Sequence, residues 1–193
     1  MRLTLVTLVL VGLVVGGWPA VDAFAAGPYR GRVIDAETRE PLAGAVVLVY
    51  WIRNAPGIGH GPAESFLGAE EALTDDRGEF IVGENPPSNW IPFTWRSLPK
   101  FIIFQPGYGY FPRHFATTPP LPPTGFEGLL KIMEKQPVVF ELPRLEKSGS
   151  LPEAVYLLPP STVPADKMPN LIRLLSTEGR PIPPPYPPKE RSK

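Results

Sequence analysis

The stretch "GRVIDAETREPLAGAVVLVYWIR" occupies residues 31–53 and contains the strongest structural signal in the chain. Its second half, Ala45 to Arg53, is so rich in β-branched and aromatic residues that a strand there must be largely covered on both faces. Its first five residues are the end of "YRGRVID" at residues 29–35, where basic residues alternate with small or apolar ones. This alternation predicts a strand with one face in water.

A second informative stretch, "EALTDDRGEFIV" at residues 71–82, places two short apolar segments around the polar sequence "DDRG". Gly78 can supply a positive φ, and the short side chains of Asp75 and Asp76 can hydrogen-bond nearby backbone amides. The pattern predicts a β-hairpin with this sequence as its turn. A metal or catalytic acid cluster is the alternative, but two adjacent acids without a third oxygen ligand in register make a poor calcium loop.

Further strands are predicted in "KFIIFQPGYGYFPRHF" and in "PVVFELPRL", where Val138, Phe140 and Leu142 share one face. Residues 54–70 and 86–99 are interpreted as loops, and "GFEGLLKIMEKQ" as one or two helical turns. Because strands and helices do not alternate, we predict a mainly β fold, namely a seven-stranded antiparallel β-sandwich.

The C-terminal part has a different pattern. Met168, Leu171, Ile172 and Leu175 recur at helical spacing, which predicts a short helix over residues 166–178. Such a helix packs either on the sandwich or on a partner, and the first alternative is favoured. The final "PIPPPYPPKERSK" is expected to be a polyproline-like tail.

The first 25 residues have the layout of a secretory signal peptide. Arg2 precedes an apolar stretch, and a small-residue site at Ala23, Phe24 and Ala25 follows. The apolar stretch is shorter than the roughly 20 residues that a membrane-spanning helix needs. We therefore expect export to the periplasm, the cell envelope or the extracellular space, with cleavage after Ala25 or Ala26, and contact with a membrane only if the signal is retained as an anchor.

The composition narrows the classes of partner and of chemistry. Lysine plus arginine equals aspartate plus glutamate at 19 each, and no clustered basic face is visible, so nucleic acid is not an expected partner. The chain has no cysteine, which excludes disulfides and cysteine catalysis. Its 28 prolines disfavour long helices.

Taken together, these motifs resemble the carboxypeptidase regulatory-like domain, a transthyretin-like β-sandwich found in many exported bacterial proteins. The resemblance covers about Tyr29 to Leu145. The positions that carry it are Gly31, Val33, Asp35, Pro41, Leu42, Gly44, Ala45 and Val47, then Thr74, Asp75, Gly78 and Phe80, and finally Pro106, Gly107 and Tyr108.

The resemblance implies a structural rather than a catalytic role for these positions, since no conserved catalytic site accompanies the motifs. It predicts a sandwich domain over residues 26–146, followed by a C-terminal extension over residues 147–193. We expect no enzymatic activity, no catalytic residue, no metal and no cofactor. The alternative is a small metal-dependent hydrolase that uses His60 and His114, although isolated loop histidines are more often solvated.

Aromatic residues provide the candidate binding site. Trp90, Phe93, Trp95, Tyr108 and Tyr110 lie in predicted loops or at strand ends, where aromatic faces can stack on sugars or anchor a protein. The alternative, which is favoured, is that they close the end of the core. The expected function is a non-catalytic accessory or interaction module that binds an envelope protein or polysaccharide. A structural subunit of an extracellular assembly is a further alternative.

Overall fold

The computed structural model describes residues 27–57, 59, 61–84, 86–112, 121–145 and 160–177. The strands within these residues are β1 (Tyr29–Asp35), β2 (Val46–Ala55), β3 (Ala63–Leu73), β4 (Glu79–Val82), β5 (Trp95–Arg96), β6 (Lys100–Phe104) and β7 (Val138–Leu142). The α-helices are α1 (Gly125–Lys135) and α2 (Pro169–Thr177), and a 3-10 helix (Ala165–Lys167) precedes α2. The predicted mainly β fold is therefore confirmed.

The strands form two sheets. In sheet A, β1 lies between β4 and β7. In sheet B, β2 pairs with β3 on one side, while β6 and β5 follow one another along its other side. Apolar side chains of both sheets belong to one buried cluster, so the molecule has the two-sheet architecture that the strand pattern predicts.

The prediction that all strands are antiparallel is wrong for sheet A. β1 pairs with β4 antiparallel but with β7 parallel, which makes this sheet mixed. A tight turn imposes antiparallel pairing only on strands that it joins directly. β1 and β7 are far apart in sequence, so packing rather than a turn sets their relative direction.

The predicted hairpin is also wrong, although its turn is present. β3 pairs with β2 in sheet B, whereas β4 pairs with β1 in sheet A. The turn at residues 75–78 therefore carries the chain from one sheet to the other. The same sequence pattern, two apolar segments around a polar turn, occurs in a hairpin and in such a crossover. Here the pairing of β4 with β1 identifies a crossover.

The geometry of this turn explains its sequence. Asp75 Oδ1 accepts hydrogen bonds from the backbone N–H groups of Arg77 at 2.9 Å and Glu79 at 2.8 Å. Gly78 has φ +74°, and its carbonyl accepts a hydrogen bond from the N–H of Val33 at 2.8 Å. Asp75 and Gly78 thus have the turn roles that the sequence predicts.

Two segments have more regular structure than the sequence predicts. The predicted loop at residues 54–70 contains most of β3, which is rich in alanine, glycine and glutamate and is held by pairing with β2 along its length. The predicted one or two helical turns extend to the eleven residues of α1. The predicted helix over residues 166–178 has narrower bounds, because α2 begins at Pro169 and the residues before it include a 3-10 turn.

The first core lies between the sheets. Strand β2 contributes Val47, Val49 and Trp51 from one face, and the facing sheet contributes residues such as Phe140. Helix α1 adds further apolar side chains, which are Leu129, Leu130 and Met133. The core is thus built from both sheets and one helix.

A second core covers the opposite face of sheet B. Val46 and Leu48 of β2 pack in one cluster with Leu171 and Leu175 of α2. Both faces of β2 are therefore buried, as its composition predicts, and α2 packs on its own sandwich. Glu71 fixes the start of α2, since its carboxylate accepts hydrogen bonds from the N–H groups of Asn170 and Leu171 at 2.8 and 2.9 Å.

We predict that Leu171→Ala lowers the free energy of unfolding by about 2–5 kcal/mol, because it removes a fully buried side chain and leaves a cavity beneath α2. Urea unfolding followed by circular dichroism measures the change. Arg173→Ala, on the exposed side of the same helix, serves as the control and is expected to change stability by less than about 0.5 kcal/mol. Equal effects of the two substitutions would contradict the packing of α2 on sheet B.

A matched pair of glycines tests the crossover turn. A Cβ at Gly78 would lie 2.3 Å from the carbonyl oxygen of Val33, whereas a Cβ at Gly44, which has a similar φ of +73°, would meet no atom within 4 Å. Both alanine variants carry the left-handed backbone cost of about 1–2 kcal/mol. Gly78→Ala is expected to destabilise the protein more than Gly44→Ala in thermal unfolding, and the reverse order would contradict this turn geometry.

Candidate functional site

Residues 86–96, here called the aromatic loop, form the principal candidate site. The loop follows β4 and ends in β5, which pairs with Arg53 and Asn54 of β2. Strand β2 is longer than β6, whose pairing covers only residues 46–50 of β2. The far end of β2 thus offers a free edge to β5, and this edge positions the loop.

Side-chain hydrogen bonds brace the loop from within. Asn89 Oδ1 accepts a hydrogen bond from Arg53 Nε at 2.9 Å. The hydroxyl of Thr94 lies 3.0 Å from the same oxygen and 2.7 Å from the carbonyl oxygen of Ile91, and donates its single proton to one of the two at a time. The Arg96 guanidinium donates to the carbonyl of Pro87 at 3.3 Å. The loop therefore has its own internal framework.

The loop also rests on β3. A Cβ at Gly68 would lie 2.8 Å from Cγ of Pro87, so only glycine leaves room for the proline ring above the strand. Strand β3 is irregular at this point, because its register with β2 shifts between Trp51 and Ile52. The register shift in β3 and the missing side chain of Gly68 together make the surface on which the loop packs.

Three of the five predicted binding residues project from this framework into solvent. Trp90 is 80% exposed, Phe93 is 90% exposed and Trp95 is 48% exposed. The favoured expectation, that the aromatic candidates close the end of the core, is wrong for these three. Large aromatic side chains are usually buried, so three exposed ones on one braced loop form an unusual surface.

Phe93 is also held in an unfavourable backbone conformation. Its φ is +59°, in the left-handed region that residues with a Cβ rarely adopt. The conformation coincides with the turn that the Thr94 hydroxyl braces at Ile91. Strain of this kind persists only where surrounding interactions enforce it, and here it accompanies the most exposed aromatic side chain in the described part of the chain.

The remaining two predicted binding residues lie elsewhere. Tyr110 is only 5% exposed and belongs to the second core, beneath α2. Tyr108 is half-buried, and its hydroxyl donates a hydrogen bond to Asp35 Oδ2 at 3.0 Å. The structure therefore groups Trp90, Phe93 and Trp95 and separates both tyrosines from them.

Asp35 is the centre of a second polar cluster. It is 1% exposed, and its Oδ1 accepts hydrogen bonds from the N–H groups of Glu37 at 2.8 Å and Thr38 at 3.1 Å. Its Oδ2 accepts from Arg144 Nε at 2.7 Å as well as from Tyr108. The guanidinium of Arg144 also lies 5.7 Å from the centre of the Tyr108 ring.

These partners determine the protonation of the cluster. Burial acts to raise the pKa of Asp35, but the hydrogen bonds from Arg144, the two backbone amides and Tyr108 outweigh it and hold that pKa well below its usual range. Burial and the neighbouring Asp35 carboxylate raise the pKa of Tyr108. Asp35 is therefore an ionised acceptor with both oxygens in use, which suits a structural centre that joins the start and the end of the sandwich.

The sequence predicts this cluster only in part. The family resemblance places Asp35 and Tyr108 in structural motifs, but Tyr108 is also a predicted binding residue and no prediction singles out Arg144. An ion pair between a buried aspartate and an exposed arginine more than a hundred residues away leaves no local signal, because only the parallel pairing of β1 with β7 brings the partners together.

The histidine hypothesis concerns other residues. His60 and His114 both lie outside the described residues. Within the described residues, no group of three or more histidine, cysteine, aspartate or glutamate side chains could hold a metal ion. No helix in that part of the chain is both long enough and apolar enough to cross a membrane.

Comparison with models of protein families, with curated proteins and with solved structures finds no match to this chain. The site must therefore be interpreted from its own geometry.

We predict that Asp35→Asn lowers the free energy of unfolding by about 2–3 kcal/mol near neutral pH, because it removes the charge of a buried carboxylate that accepts several hydrogen bonds. The low pKa of Asp35 makes its contribution fully present above its unfolded value near 3.8. The contribution is lost as the pH falls through the lower folded value, so the difference between the variant and the wild type should shrink below about pH 4.

Urea unfolding at several pH values between about 7 and 2 checks this prediction. Asp76→Asn, which neutralises an exposed acid, is the control and is expected to have an effect within about 0.5 kcal/mol. A difference between Asp35→Asn and the wild type that grows as the medium becomes more acidic would contradict the assigned role of Asp35.

Proposed function

We propose that this protein is an exported, non-catalytic accessory module that binds an envelope protein or polysaccharide through its aromatic loop. Its sandwich is proposed to be of the transthyretin-like, carboxypeptidase regulatory-like type. The motifs at Asp35, Thr74 and Gly78 support that assignment, as does their use in turns and internal hydrogen bonds. The signal-like layout of residues 1–25 supports export.

The observation that carries the proposal is the outward display of Trp90, Phe93 and Trp95 on a braced loop. Burying one such side chain against a partner contributes about 1.5–3 kcal/mol relative to leaving it in water. Ordering a mobile side chain on binding costs roughly 0.5–1.5 kcal/mol. Because internal hydrogen bonds already hold the loop around these side chains, a partner need not also offset the cost of ordering the loop backbone.

The acidic residues that the sequence offers for chemistry have other uses. Both oxygens of Asp35 accept hydrogen bonds from within the fold, and Asp75 shapes the crossover turn. Glu71 fixes the start of α2. These structural roles support a binding function over catalysis by these carboxylates.

A structural subunit of an extracellular assembly is the second candidate. It is favoured by β3, an eleven-residue strand at the edge of sheet B whose outer side pairs with no other strand in the described part of the chain. Free strand edges can pair with another chain. Glu64, which is exposed on this strand, works against such pairing.

We predict that immobilised protein beginning at Ala26 captures a partner from envelope extract and that Trp90→Ala/Phe93→Ala abolishes the capture. The double variant removes the two most exposed aromatic faces, whereas the structured parts of the fold do not depend on them. Ile81→Ala/Val139→Ala is the matched control, because it trims exposed apolar side chains on sheet A. Mass spectrometry and glycan analysis, with protease and glycosidase treatment, identify the retained material.

Thermal unfolding and circular dichroism establish that both double variants are folded. Equal capture by both would overturn the assignment of the aromatic loop as the binding surface. Absence of any specific capture, combined with self-association that increases with concentration in sedimentation experiments, would favour the structural subunit instead.

A further inference from the structure

The side-chain acceptor oxygens of Asn89 and Thr94 are used inside the aromatic loop, and this property bears on which of the two proposed partner classes the loop fits. Asn89 Oδ1, the Thr94 hydroxyl and Arg53 Nε are used inside the framework, and Arg96 donates to the loop backbone. Residues 86–100 contain no acidic side chain. A polysaccharide needs several placed polar groups besides an aromatic face, so the loop fits a protein segment better.

Exposed aromatic side chains whose neighbouring acceptor oxygens are already used suit a proline-rich segment in particular, because proline has no backbone N–H to donate. Such a segment adopts the extended polyproline II conformation, in which the backbone has no internal hydrogen bonds and remains solvated. Its proline rings pack on aromatic surfaces, and its stiffness keeps the entropy cost of binding low. Trp90, Phe93 and Trp95 provide faces of this kind.

The chain itself contains such a segment. Residues 181–188 read "PIPPPYPP" and include six prolines. On the basis of the proposed function, we propose that this segment docks on the aromatic loop of the same molecule. An external partner must then displace the segment, so the tail competes with that partner for Trp90 and Phe93.

The length of the tail permits this contact. Glu71 accepts hydrogen bonds from the start of α2 and pairs with Leu48 of β2. The distance along β2 from Leu48 to Asn54, which lies beside the aromatic loop, is about 20 Å. From Leu171 to its end at Thr177, α2 adds at most about 9 Å. Residues 178–188 span about 34 Å in the polyproline II conformation, so at least Pro187 and Pro188 reach the loop even if α2 points away from it, and more of the segment reaches it if α2 points toward it.

The test uses the protein from Ala26 to Lys193 and a variant in which Pro183, Pro184, Pro185, Pro187 and Pro188 are replaced by serine. The probes are the indole N–H signals in nitrogen-15 NMR, with Trp90 assigned from Trp90→Phe, and acrylamide quenching of tryptophan fluorescence. The serine variant should shift the Trp90 signal and increase quenching. The signal of Trp51, which is buried in the first core, should not move and serves as the internal control.

A synthetic peptide of residues 178–193 provides the second measurement. Added to the serine variant, it should return the Trp90 signal toward its wild-type position, whereas a peptide carrying the same five serines should not. This arm keeps the test decisive even if the serine substitutions disturb α2. Identical Trp90 signals in the wild type and the variant, or the absence of any effect of the peptide, would overturn the proposal.

Dilution separates the two possible sources of the segment. Docking within one molecule is independent of protein concentration, so the Trp90 signal of the wild type should stay constant over about a hundredfold dilution. If the wild-type signal moves on dilution toward that of the serine variant, the bound segment comes from a second copy, and docking within one molecule is overturned. If the tail fails these tests while the capture experiment still depends on Trp90 and Phe93, only this inference falls and the proposed function stands.

Discussion

The structure depends on the need to bury both faces of strand β2. Val47, Val49 and Trp51 require cover on one side, whereas Val46 and Leu48 require it on the other. A two-layer sandwich covers only the inner face of each sheet, so the chain must supply another layer outside sheet B. Helix α2 is that layer, which explains why a chain rich in proline retains an amphipathic helix after β7. Without α2, apolar side chains of β2 and β6 would face water.

The two sheets are joined by buried polar links as well as by apolar packing. The hydroxyl of Thr74 accepts a hydrogen bond from the N–H of Ala45 at 2.9 Å and donates to the carbonyl of Leu42 at 2.6 Å. It therefore ties the crossover turn to the connection between β1 and β2. Asp35 accepts hydrogen bonds from the start of that connection, from Tyr108 and from Arg144. Because each link joins distant parts of the sequence, the loss of one is expected to affect the whole fold rather than a single loop.

The sequence predicts those features that depend on local chemistry. The strong β pattern identified β2, the alternation identified β7, and aspartate and glycine identified the crossover turn. It did not predict residues 63–70 of β3, because pairing with β2 overrides the weak strand propensity of alanine, glycine and glutamate. It could not distinguish a hairpin from a crossover, or a mixed sheet from an antiparallel one, since both depend on pairing between distant strands. The exposure of Trp90 and Phe93 also depends on where the aromatic loop leaves the sheet.

The same constraint on β2 connects the fold to the proposed site. The part of β2 that is buried on both faces needs β6 beside it, but β2 continues beyond β6 and offers an edge to the two residues of β5. The aromatic loop is therefore anchored to the strand that contributes to both cores, while its exposed aromatic side chains lie outside them. A hydrogen-bonded framework and a left-handed Phe93 are costly to maintain in a simple connection, where flexible polar residues would suffice. Their presence next to exposed tryptophans is explained if the loop is preformed for a partner, since the fold then supplies in advance the order that binding would otherwise require.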